Sequence, residues 1–69
     1  MQTLADFQAE FELKITELSK LDPSLVSRVK EDRVTPHEYF DDEDPKHRAL
    51  KGAVEAGRAL LAAKIRQAA

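Results

Sequence analysis

Three prolines divide this chain, and each follows a residue suited to cap a helix: Asp22-Pro23, Thr35-Pro36 and Asp44-Pro45. Asp and Thr side chains accept hydrogen bonds from the free N–H groups of a helix's first turn. Proline suits the first helical position, where its missing N–H had no partner. It also disfavours helical geometry in the residue before it, so each pair ends one segment and opens the next. The pattern predicts an all-α chain. A long antiparallel helical hairpin, about 3–21 and 45–67, is joined by two short helices, about 23–32 and 36–43.

The hydrophobic spacing supports the two long helices. Leu4, Phe7, Phe11, Ile15 and Leu18 recur at intervals of three and four, which makes one apolar stripe. Thr3 and Asp6 stand where a capping box would. In the last segment Leu50, Val54, Leu61 and Ile65 are read as the facing stripe, flanked by Leu60. Ala49, Ala53 and Gly57, with Gly52 and Ala56, lower that surface so that bulky Phe side chains can approach. Each glycine costs a helix interior roughly 1 kcal/mol relative to Ala, so close packing is the expected return.

The middle is less regular. Leu25, Val26 and Val29 form the apolar side of the segment after Pro23. Thr35-Pro36-His37-Glu38 has the order of a capping box with proline at its first position. A helical turn or two should follow, carrying Tyr39 and Phe40.

At 69 residues the chain makes one small domain, 1–69. Such a domain buries roughly 60% of the surface its unfolded chain exposes. With no Cys and no Trp, it depends on regular packing, self-association or a partner. Leu13 and Leu21 lie off the first stripe, and a dimer forming a four-helix bundle is one way to bury them. The lack of Cys fits a reducing compartment. No apolar run approaches the ~18 residues of a membrane span. The segment before Glu10 has no basic side chain, unlike a secretory leader. A cytoplasmic location is expected.

Charge is unevenly spread. Residues 1–34 carry five Lys/Arg and seven Asp/Glu; residues 35–44 carry five acids and no Lys or Arg; residues 45–69 carry six Lys/Arg and one acid. An acidic elbow therefore precedes a basic final helix.

The sequence offers little chemistry. His37-Glu38-Tyr39-Phe40-Asp41 comes near the H-E-x-x-H zinc motif but lacks its second His. A catalytic zinc normally takes three protein ligands. The run Asp41-Asp42-Glu43-Asp44 lacks the alternation and central Gly of a calcium loop. Ser19, Ser24 and Ser27 sit in no nucleophile motif. No enzyme, no cofactor, no metal site and no small-molecule substrate are expected. Segments 23–32 and 36–43 have the lengths of a helix-turn-helix, but the second would push acids against phosphate.

The reading that remains is a small protein–protein interaction module. It would be an adaptor, inhibitor or modulator of another protein, of the kind phages and plasmids encode against host regulators. Candidate contact residues are Tyr39, Phe40, Arg58, Leu61 and Ile65. Phe40 is read first as a plug for the open end of the hairpin. Tyr39 is read as either core or contact surface, since aromatics are enriched at interface anchors. Two alternatives are a nucleic-acid-associated regulator using Lys46, Arg48, Lys51 and Arg58, and a purely structural self-assembling oligomer.

Overall fold

A computed structural model describes residues 2–68, and within them the regular structure is entirely helical. Helix α1 is Leu4–Leu21, α2 is Ser24–Lys30 and α3 is Pro45–Ala68, with a 3-10 turn at Pro36–Glu38 before α3. The molecule is 36 Å long, which is the length of α3 by itself at about 1.5 Å per residue.

The predicted helix starts are made by the predicted residues. Thr3 accepts from the Asp6 N–H at 3.2 Å, and the Thr3 N–H donates back to Asp6 Oδ2 at 3.0 Å. Asp44 Oδ1 accepts from the Lys46 N–H at 2.8 Å, across Pro45. At the elbow one residue serves three helices. The Asp22 N–H closes α1 on the Leu18 carbonyl at 2.8 Å. Its carboxylate Oδ1 accepts from the Ser24 N–H at the start of α2 at 3.1 Å. Its other oxygen meets Lys46 Nζ of α3 at 2.8 Å.

The second helix ends earlier than its predicted limit of about 32. It stops at Lys30 in a Schellman-type closure. The Asp32 N–H donates to the Val29 carbonyl at 3.0 Å, and the Arg33 N–H donates to the Arg28 carbonyl at 2.9 Å. This pattern needs a left-handed residue after the cap. Asp32 supplies it, at φ 55°.

The helix expected over 36–43 is not formed beyond one 3-10 turn. The Thr35 N–H does donate to Glu38 Oε2 at 2.8 Å, and Glu38 also pairs with Arg28 at 2.6 Å. These bonds anchor the turn to α2. Tyr39 then leaves helical geometry at φ −142°. Beyond it the Asp41 side chain takes the Glu43 N–H at 3.0 Å, a local bond that competes with a helix.

The main core sits at the elbow end, where all three helices meet. Leu18 of α1, Leu25 and Val29 of α2, Val34, and Leu50, Ala53 and Val54 of α3 are buried together. Leu18 is 0% exposed and Leu50 2%. Phe11 and Ile15 extend the packing along α1. Further along, Lys14 lies beside Gly52 and Phe11 beside Gly57.

The stripe predicted for α3 is buried at Leu50 and Val54 but rotates beyond them. Leu60 and Ala63 are buried, while Leu61 is 54% exposed and Ile65 60%. The reason is the short α2. Leu50 and Val54 of α3 share one buried cluster with Leu18 of α1 and with Leu25 and Val29 of α2. Further along α3, Phe11 of α1 lies against Gly57. Leu61 lies about 100° around the helix from Leu60 and loses its cover.

Candidate functional site

The end of α2 leaves a groove of about 190 Å³ between the helices. Its apolar walls are Phe11 of α1, Val29 of α2, and Val54, Leu60 and Leu61 of α3. Gly57 adds depth by having no side chain. The rim is charged and comes from Lys30, Asp32, Arg58 and Lys64. The volume lies below the ~300–1,000 Å³ common for small-molecule sites. It is large enough to admit a side chain.

The rim is unequally neutralised. Arg58 Nη2 lies 3.6 Å from Asp32 Oδ1. Lys30 and Lys64 have no carboxylate partner among the described residues. Asp32 holds its rim position in a backbone conformation that glycine would adopt at no steric cost. An aspartate there places a carboxylate over Arg58.

Of the candidate contact residues, Arg58 and Leu61 line this groove. Ile65 is exposed one turn beyond Leu61 on the same helix. Tyr39 and Phe40 lie elsewhere, on the elbow. Tyr39 is half-buried and packs against the main core. Phe40 does not plug the hairpin: it is 75% exposed. Because Tyr39 breaks from the helix and turns inward, its neighbour is thrown outward. The Phe40 ring rests edge-on against His47, with centroids 5.4 Å apart.

The loop after Phe40 is tied to the first turn of α3. The Asp41 N–H donates to His47 Nδ1 at 3.1 Å, and the Asp44 N–H donates to the Asp41 carbonyl at 3.1 Å. Since the helix ends at Glu38, His37 and Asp41 do not share a helical face. Among the described residues no three His, Asp or Glu side chains gather as metal ligands.

Three of the α3 cations considered for phosphate contacts face carboxylates instead. Lys46 pairs with Asp22, Lys51 lies 3.9 Å from Asp42, and Arg58 lies beside Asp32. Hydrogen bonds from Lys46 and Ser24 pull the Asp22 carboxyl down to about 2. The same pairing raises Lys46. The Thr35 N–H, then Arg28, lowers Glu38.

Sequence reasoning missed Lys30 and Asp32 as parts of this region, and placed Leu60 only at the flank of the α3 stripe. The Schellman closure that sets Lys30 and Asp32 at the rim leaves no glycine in the sequence to signal it. No helix of the described residues is long and apolar enough to cross a membrane. No protein-family model matches the chain, and neither the curated proteins nor the solved structures contain a significant match to it.

Proposed function

We propose that this chain is a small, non-enzymatic protein–protein interaction module, working as an adaptor, inhibitor or modulator in the cytoplasm. The observation that carries the reading is the apolar groove beside Leu61, left open where α2 stops and edged by Lys30 and Lys64, which meet no carboxylate among the described residues. We read α1 and α3 as an antiparallel hairpin, supported by the pairs Asp22 with Lys46, Lys14 with Gly52 and Phe11 with Gly57. That hairpin supplies the floor, and α2 supplies one wall. Arg58, Leu61 and Ile65 are the contact residues of this face. A buried apolar anchor ringed by polar side chains is the usual anatomy of a binding hot spot.

The test is site-specific photocrosslinking in the source cell. A photoreactive residue at position 61 should yield one discrete protein adduct. The same residue at Leu13, which is exposed on α1 outside the groove, should yield none. Equal labelling from both positions, or none from either, would reject the groove as the docking surface.

A further inference from the structure

We infer that the occupant of the groove is the acidic loop of a second copy of this chain, with Phe40 as its anchor. The inference rests on the docking role proposed for the groove and names its partner. Both halves of the contact are on the molecule. One half is an apolar groove walled by Phe11, Leu60 and Leu61, with Lys30 and Lys64 at its rim facing no carboxylate among the described residues. The other is Phe40, the most exposed large apolar side chain among the described residues, followed directly by Asp41, Asp42, Glu43 and Asp44.

The loop is held in a defined shape before any contact is made. His47 supports both the Phe40 ring and the Asp41 N–H, and Asp41 closes the turn onto Glu43 and Asp44. A preformed loop loses less entropy on docking. Its charge is available: Glu43 faces no cation among the described residues, and Asp42 has only the 3.9 Å contact with Lys51.

A chain does not fill its own groove with this loop. His47, which holds Phe40, and Leu61, which lines the groove, lie on the same helix, about 21 Å apart at ~1.5 Å per residue. A second copy related by a two-fold axis satisfies both contacts at once, since each copy gives a loop and receives one. Asp42 and Glu43 then face Lys30 and Lys64 of the other copy. The ion pairs are exposed, so the dimer should weaken with salt.

Sedimentation equilibrium of the full chain, from micromolar to millimolar concentration at low and high salt, tests this. The expected result is a monomer–dimer equilibrium that loosens as salt rises. Phe40→Ala and the double variant Lys30→Glu/Lys64→Glu should each weaken the dimer by about tenfold or more. Both should remain helical by circular dichroism, because these side chains are exposed. Adding Asp42→Lys/Glu43→Lys to the Lys30→Glu/Lys64→Glu chain should restore dimerisation by exchanging the charges. A wild-type chain that stays monomeric at millimolar concentration overturns the inference, as does a dimer unaffected by Phe40→Ala. If position 61 still crosslinks a different protein under either result, the docking groove stands and only the second-copy occupant falls. If position 61 crosslinks nothing, both fall.

Discussion

The Phe11 ring lies directly over Gly57: a Cβ at position 57 would stand 2.9 Å from Phe11 Cε1. The second helix glycine has no such neighbour. A Cβ at Gly52 would meet only the flexible Lys14 side chain, at 3.6 Å. Gly52→Ala should therefore stabilise the fold by up to about 1 kcal/mol through helix propensity. Gly57→Ala should forfeit that gain and leave the protein less stable than wild type. Urea unfolding of the two variants measures the difference. An equal gain at both positions would show that the Phe11 ring moves aside at no cost.

Core truncation should separate sharply from surface truncation. Leu18 is fully buried where all three helices meet. Leu18→Ala should cost about 2–5 kcal/mol. A chain of this length has roughly 3–10 kcal/mol of total stability, so much of the variant should be unfolded at room temperature. Leu13, exposed on the opposite side of α1, should tolerate Ala within about 0.5 kcal/mol. Circular dichroism with denaturant titration reports both.

The ion pair between Asp22 and Lys46 gives a defined pH window. Bonds to Lys46 and then Ser24 hold the Asp22 carboxyl at about 2, below its ordinary 3.8. A depressed carboxyl contributes stability above its unfolded value and loses it as pH falls through the folded value. Asp22→Asn keeps an acceptor for Ser24 and removes the charge. The advantage of wild type over this variant should hold above pH 3.8 and fade as pH approaches about 2. At the alkaline end Lys46 is raised above its ordinary 10.5, so its share is lost only as pH climbs past that value. Carbon-detected NMR titration of the Asp22 carboxyl is the direct check. A midpoint near 3.8 would mean that the pair does not persist in solution.

Asp32 holds the left-handed position that closes α2. That conformation costs an ordinary L-residue about 1–2 kcal/mol relative to glycine. Asp32→Gly should raise the unfolding midpoint slightly, whereas Asp32→Ala should lower it. Both changes remove the carboxylate beside Arg58 and make the groove rim more basic. A thermal melt that lowered both variants would show that the ion pair with Arg58 outweighs the backbone.

What the sequence determined by itself was local. Thr3 with Asp6, and Asp44 with Pro45, start the two long helices where expected, because a cap needs only residues three or four positions apart. The stripe from Leu4 to Leu18 was equally legible, since periodicity records which side of an isolated helix is apolar. The stripe cannot record what lies opposite. Leu60 and Leu61 are adjacent and chemically identical, about 100° apart on α3. Tyr39 and Phe40 likewise stand together after a single helical turn. Which member of each pair was buried depended on where α2 stopped and where Tyr39 left the helix. The first was set by an aspartate in a place that favours glycine, and the turn before the second is held to α2 by the pair of Arg28 with Glu38, ten residues apart. The tertiary structure thus decided the groove, its charged rim and the outward Phe40, because burial is a relation between elements and no residue carries it alone.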